Sequence, residues 1–292
     1  MDTLRERCAH FHALHRSRTP LVLPNAWDAA SARAVADAGA AAVATSSAAV
    51  ARALGTADGE RLAADLAFAA VARIVAAVDL PVTADIEGGY AVDPEGVGAT
   101  VDRVLAAGAV GVNLEDTDHA AAALRPEAEQ CHRIAAARCA AGRAGVPLFV
   151  NARVDTFLLG VADPVPATLD RAAAYVAAGA DGVFVPGVTD VDTVALLADR
   201  TAAPLNVLAT PGGPGAGAGA ARISVGSALA DAAYAFTRRA ARDLLGTGSL
   251  AALGYPADAR SVAGAARRSR GTTSAAAIPS NPNTAAAANP AR

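Results

Sequence analysis

Lysine is absent from this 292-residue sequence, so all 25 of its basic residues are arginine. That excludes catalysis through a protein Schiff base and lysine-anchored pyridoxal phosphate, both of which need an ε-amine. It also excludes a P-loop, whose phosphate grip requires Gly-Lys-[Ser/Thr]. Aromatic residues are scarce at 4%, and 28 acidic residues bring the net charge to -3. With neither a basic stripe nor rings to stack on bases, nucleic acid is not an expected partner. The three cysteines, Cys8, Cys131 and Cys139, are too few to staple a domain of this size and lie in no metal-ligand spacing, so they read as reduced thiols. No apolar run reaches the ~20 residues that cross a bilayer, and the opening Met1-Asp-Thr-Leu-Arg-Glu-Arg-Cys8 has no signal-peptide core. The expectation is a soluble, cytoplasmic protein without a membrane partner.

What is abundant is alanine, valine and leucine, within a hydrophobic fraction of 53%. Such a core suits helices packed closely on a parallel sheet, and the length suits one α/β barrel. Eight short β-rich runs recur: 21–26, 41–46, 81–87, 111–116, 147–155, 182–187, 204–209 and 222–226. Helical patterns separate them at 60–78, 94–107, 126–143, 164–178 and 189–200. Ala-Gly-Ala at Gly39, Gly108 and Gly179 marks helix ends that lead into strands. Eight such units predict a (β/α)₈ barrel over residues 1–262. Residues 263–292, dominated by Ala, Ser, Thr, Asn and Pro, read as a disordered tail. The glycine-rich stretch 211–220 reads as a short, weak helix, with a phosphate cradle as the other reading.

In such a barrel the strand C-termini converge on the active site. Here they carry Asp85 and Glu87, Asn113, Glu115 and Asp116, and Asn151, Arg153 and Asp155. Residues two apart on a strand share a face, so Asp85 and Glu87 are expected to reach one ligand. With Glu115 and with Asp58 from the loop after the second strand, they form an oxygen-rich acidic pocket. Oxygen donors of this kind suit Mg²⁺ or Mn²⁺, which keep several waters, better than zinc. Salt bridges or helix caps are the plainer roles for any one of these acids. Arg153 has the planar fork that binds a carboxylate bidentately, and its plainer role is to balance the acids. His10, His12 and His15 fall in an N-terminal helix and read as solvated. His119, in the loop after the fourth strand, is a candidate acid or base, or else an ordinary loop histidine.

Together these residues resemble the isocitrate lyase/phosphoenolpyruvate mutase superfamily, from about Leu23 to Asp231. The landmarks are Pro24-Asn-Ala-Trp27-Asp28, Thr45-Ser46-Ser47, Leu54-Gly-Thr-Ala-Asp58, Asp85-Ile-Glu87-Gly-Gly-Tyr90, Asn113-Leu-Glu115-Asp116, Asn151-Ala-Arg153-Val-Asp155 and Pro204-Leu-Asn206. The resemblance implies a barrel whose eighth helix packs on a neighbouring subunit, hence a homo-oligomer, dimer or tetramer. It also implies an Mg²⁺ site and a small carboxylate substrate that passes through an enolate. Asp85 matches the direct metal ligand, and Asp58, Glu87 and Glu115 match the acids around the metal and its waters. Ser46, Ser47 and Arg153 match positions that hold the substrate carboxylate, and Trp27 and Asn206 are taken with them as substrate-binding. Arg153, Glu115 and His119 are the candidate catalytic residues. The lyases' cysteine loop has no counterpart in Asp116-Thr-Asp118-His119-Ala-Ala-Ala-Ala-Leu124-Arg125, and neither has the mutase-type Glu-Asp-Lys. The expected activity is Mg²⁺-dependent C–C cleavage of a small 2-oxo or 2-hydroxy acid. The alternatives are a C–P mutase or hydrolase and a non-catalytic metabolite-binding barrel.

Overall fold

The computed structural model describes residues 3–211, 213 and 216–249, so the predicted tail lies outside the described residues. The chain divides into two units, Met1–Ala235 and Phe236–Arg292. The elements run α1 (Leu4–Leu14), β1 (Leu21–Leu23), β2 (Asn25–Ala26), α2 (Ala29–Asp37), β3 (Val43–Thr45), α3 (Ser47–Ala53) and α4 (Ala64–Val75). They continue with β4 (Val82–Asp85), α5 (Pro94–Ala106), β5 (Gly111–Glu115), β6 (Thr117–Asp118), β7 (Ala123–Leu124), α6 (Glu127–Arg143) and β8 (Phe149–Arg153). Last come α7 (Pro164–Ala177), β9 (Gly182–Val185), α8 (Val191–Arg200), β10 (Leu205–Leu208), β11 (Arg222–Ser224) and α9 (Ala228–Thr247), which continues into the second unit.

All eight predicted strand runs form, and they pair in parallel in the order β1-β11-β10-β9-β8-β5-β4-β3-β2. The first run is split at Pro24, and its halves serve different neighbours: β1 pairs with β11 and β2 with β3. Proline has no N–H to give a ladder, but its carbonyl still accepts from Ala44 N–H at 3.2 Å. The split strand is therefore the seam at which the barrel closes. Gly39, Gly108 and Gly179 sit at φ +90°, +87° and +112°, the left-handed helix stop that the Ala-Gly-Ala pattern predicted. A single 3₁₀ turn, Ala216–Ala218, stands in the glycine-rich stretch.

Small residues let the outer helices sit close to the strands. Val97, Val101 and Val104 of α5 and Ile134, Ala137 and Ala141 of α6 pack with Val112 and Leu114 in the main core. A second cluster closes the N-terminal end of the barrel, where α1 lays Cys8 and Phe11 over Leu21, Leu23, Val110 and Phe149. The solvated reading of the N-terminal histidines fails for His15. Its ring is 5% exposed, stacks on Phe149 at 4.0 Å and uses Nδ1 on the Phe11 carbonyl at 2.9 Å. The α1 pattern did not disclose this, because a histidine on a helix face has the same spacing whether the face meets water or a barrel end.

Burial, with the nearby Arg222 charge adding, pushes the His15 pKa down to about 3. The ring is neutral in the folded chain, whereas in the unfolded chain it gains a proton below about pH 6.5. Its stabilisation is complete above that pH and is lost as pH falls towards 3, by up to about 1.4 kcal/mol per unit. Urea midpoints at pH 7, 6 and 5 are expected to fall more steeply for the wild type than for His15→Phe; parallel slopes would refute this.

Candidate active site

The mouth of the barrel holds a cavity of about 110 Å³. Its polar lining includes Asp85 from β4, Asp58 from the loop after α3, Arg153 from β8, Asn113 from β5 and Ser46 and Ser47 at the start of α3. Leu158, Phe184, Pro186 and Leu208 supply apolar lining. Ser46 caps α3 by accepting from Ala49 N–H at 3.4 Å. That cap turns the Ser47 backbone and side chain onto Asp85, whose Oδ2 accepts from Ser47 N–H at 3.1 Å and Oγ–H at 2.9 Å. Burial pushes the Asp85 carboxyl up, against the pull of Arg153 and the Ser47 donors.

Glu87 does not share this cavity. The alternation of a strand was expected to aim Asp85 and Glu87 together, but β4 ends at Asp85 and the chain turns at once. Glu87 and Tyr90 take φ of +51° and +52°, a conformation that costs side-chain-bearing residues about 1 kcal/mol or more and persists only where surroundings hold it. Tyr90 O–H at 2.5 Å and Glu60 N–H at 2.5 Å hold the Glu87 carboxylate, and Tyr90 N–H donates to Glu60 Oε1 at 2.7 Å. Burial pushes the Glu87 carboxyl up to about 7.

Glu115, 2% exposed, is outside the cavity lining and sits between Arg153 and His119. Its Oε2 meets Arg153 Nη1 and its Oε1 meets His119 Nε2. Arg153 Nε also donates to Asp155 Oδ1 at 2.6 Å. Burial opposes the Arg153 charge, but Glu115, Asp155 and Asp85 more than offset it, so its pKa is raised. His119 follows β6, and the bond to Glu115 raises its pKa. Its Nδ1 lies 3.2 Å from where a Cβ on Gly59 would stand, so the ring packs over a residue that has no side chain. Asp116 is turned to the other face of its strand. It is fully buried and accepts from Arg171 at 3.0 Å, Tyr175 O–H at 2.8 Å and Asp155 N–H at 2.9 Å.

Of the residues singled out from sequence, then, Asp58, Asp85, Ser46, Ser47 and Arg153 come together around one cavity, with Glu87, Glu115 and His119 outside its lining. Two further candidates lie elsewhere. Trp27 lies in an apolar groove with Val22, Pro24, Val35 and Leu229 and is absent from the cavity lining. Asn206 is 1% exposed and spent inside the barrel on Asn151 and Ser224. Asn113, placed at its strand end but given no role, also lines the cavity, as do Asn25, Ser224 and Ser227, to which sequence reasoning assigned nothing. The signal for Asn113 was there, since it stands two residues before Glu115 on the same strand face.

Among the described residues no three His, Cys, Asp or Glu side chains converge into a ready-made cage. A zinc site, which needs about four such ligands, does not fit. What the cavity offers is hard oxygen: Asp85, Asp58 and the hydroxyls of Ser46 and Ser47. That set fits a divalent ion that keeps most of its waters and takes one or two carboxylates.

A parallel (β/α)₈ barrel with acids and one arginine gathered at its strand ends has the arrangement of a barrel enzyme. The family model described as phosphoenolpyruvate phosphomutase matches residues 11–245. The chain belongs to this family. It is similar to an uncharacterized protein of Mycobacterium tuberculosis, with 39% identity over 236 residues, 80% of this chain and 87% of that one. A Burkholderia cenocepacia structure assigned as a phosphonomutase is 45% identical with a TM-score of 0.78, covering 81% of this chain and 99% of its own. A second structure from that organism, assigned as a lyase/mutase, is 36% identical with a TM-score of 0.82, covering 89% and 95%.

The two buried aspartates separate fold from site. Asp116→Asn weakens the contacts of Arg171 and Tyr175 and is expected to cost about 3 kcal/mol. Asp85→Asn removes a desolvated charge and is expected to change stability by no more than about 1 kcal/mol. Urea denaturation of the two variants checks this, and equal losses would contradict it.

Proposed function

We propose that this protein is a lyase, dependent on Mg²⁺ or Mn²⁺, that cleaves a C–C bond in a small 2-oxo or 2-hydroxy carboxylate through an enolate. The observation that carries the reading is that Asp85 and Arg153 line one small cavity. Asp85, with Asp58 beside it, would hold the ion, which supplies Lewis-acid stabilisation of negative charge on oxygen when bound. Arg153 would hold the substrate carboxylate. Glu115 and Asp155 grip its guanidinium from two sides, so its orientation is set before substrate arrives. Leu158, Phe184, Pro186 and Leu208 keep water from the reacting carbon. His119, tied to Glu115 and outside the lining, fits the role of a partner that fixes Glu115 better than that of the proton carrier.

Charge favours this reading over phosphonate chemistry. Among the described residues Arg153 is the only cationic side chain in the lining. Arg125, the loop's candidate to face a phosphoryl group, is engaged by Asp118 at 3.4 Å and Glu129 at 3.2 Å. We also propose a homo-oligomer in which the eighth helix of a second copy covers the apolar groove of about 550 Å³ around Val22 and Trp27. Light scattering is expected to give a dimer or tetramer that Val22→Glu dissociates; a wild-type monomer would end the idea.

Oxalate, a mimic of the pyruvate enolate, tests the site directly. With Mg²⁺ present and oxalate at about 100 times its Kd, a shift of roughly 5–10 °C in Tm is expected. Neither Asp85→Ala with both ligands nor the wild type with oxalate alone should reproduce it. That pattern would lead to assays of 2-oxo acids for metal-dependent cleavage. Absence of any shift in the wild type would reject the enolate-type site.

A further inference from the structure

Three asparagines and one arginine, all buried, form a polar layer inside the barrel beneath the cavity, and among the described residues none of them is hydrogen-bonded to a carboxylate. Asn113, Asn151, Asn206 and Arg222 are 5%, 1%, 1% and 1% exposed. Asn151 Nδ2 donates to Asn113 Oδ1 at 2.9 Å and to Asn206 Oδ1 at 3.2 Å, which uses both of its hydrogens. Asn206 Nδ2 is spent on the Arg222 carbonyl at 3.3 Å and Ser224 Oγ at 3.1 Å. Arg222 Nη2 donates to Asn113 Oδ1 at 3.3 Å, and the Arg222 Nε and Nη1 atoms have no hydrogen-bond partner among the described residues.

This arrangement determines which way the Asn113 amide points. A guanidinium only donates, so the Asn113 atom that faces Arg222 is the oxygen, and the same oxygen takes the Asn151 donor. The Asn113 NH₂ group is left over and makes no hydrogen bond to any described residue, and of the three asparagines only Asn113 lines the cavity. It neighbours Asp85 in the strand register.

We propose that Asn113 is a further substrate-contacting residue. Its amide N–H groups donate to the substrate oxygen on which negative charge develops, and Arg222 is the positioning residue that keeps those hydrogens turned into the cavity. The inference rests on the enolate reading above. It adds a neutral donor to a site whose other anion-binding side chain is Arg153. Preorganised donors of this kind stabilise a developing oxyanion because they need not reorient as the charge appears. Burial pushes the Arg222 pKa down to about 9, with Asp85 opposing the shift, so the guanidinium stays charged at neutral pH and adds a positive charge below them.

Calorimetric titration of Mg²⁺ alone, and of oxalate in saturating Mg²⁺, tests this on the wild type, Asn113→Ala, Arg222→Met, the double variant and Arg222→Lys. Asn113→Ala is expected to weaken oxalate roughly ten- to hundred-fold while Mg²⁺ affinity stays within about threefold of wild type. Arg222→Met is expected to weaken oxalate too, to add nothing once Asn113 is alanine, and to be partly restored in Arg222→Lys; a merely structural arginine would give additive losses. Should Arg222→Met fail to fold, Asn113→Ala and Arg222→Lys still decide the matter. Wild-type binding that Asn113→Ala leaves within threefold overturns the role of Asn113 alone. Failure of the wild type to bind oxalate with Mg²⁺ overturns the enolate reading and this inference together.

Discussion

The structure is organised around the sharing of one guanidinium. Asp85 and Glu115 are drawn into the barrel mouth, where burial raises the pKa of both against the pull of Arg153. Arg153 lies between them, paired with Glu115 and Asp155 and within Coulombic reach of Asp85. Lysine would do this less well, since it is a point charge that loses its proton readily on burial, whereas arginine stays charged and offers its donors in a plane. Because two carboxylates hold its fork, Arg153 presents a single aspect to the cavity. The same grip leaves Asp85 without a cation of its own, which is the state in which a carboxylate favours a metal ion over ionising alone.

That local charge economy depends on how the chain enters and leaves its strands. Glu115 and Asp116 are adjacent, yet the pleat sends one to Arg153 and the other to Arg171 and Tyr175. Asp116 then reaches across to Asp155 N–H at 2.9 Å, tying the end of β5 to the residue that grips Arg153. Between β4 and α5 the backbone adopts the left-handed region at Glu87, Gly89 and Tyr90, so Glu87 is drawn out of the cavity towards Glu60 N–H and Tyr90. Thr100 Oγ donates to the Gly89 carbonyl at 2.7 Å, which anchors this turn to α5. Strain at this point is compensated by buried hydrogen bonds, the usual condition under which it survives next to a site.

Much of this was legible in the residues, and the failures share a cause. Strand and helix positions follow periodicity and glycine punctuation, which are local, so all eight strand runs were found. Asp85 and Arg153 do reach one cavity, since each ends its strand, where the pleat still predicts direction. Glu87 leaves it because the pleat rule does not hold past the last paired residue. Trp27 follows the seam strand β2 into the outer groove, and Asn206 is buried inside the barrel, outside the cavity lining. Asn113, named at its strand end, was given no role because its orientation comes from Arg222, 109 residues away in sequence, and no local pattern links the two.

The hairpin that replaces the lyases' cysteine loop carries the last step of the argument. Asp118 Oδ1 accepts from Ala120 and Ala121 N–H at 2.9 and 3.1 Å, β6 and β7 pair across it, and Arg125 pins its base to Asp118 and Glu129. Its histidine is occupied by Glu115. A segment held at so many points is built to brace the carboxylates rather than to carry a proton in and out with each turnover. On the reading proposed above, proton transfer would fall to groups that line the cavity, where the candidates are the serine hydroxyls and Asp58. Rate acceleration would then rest mainly on preorganised charge stabilisation at the nascent oxyanion. A barrel interior layered with a buried arginine and oriented amides is suited to that demand.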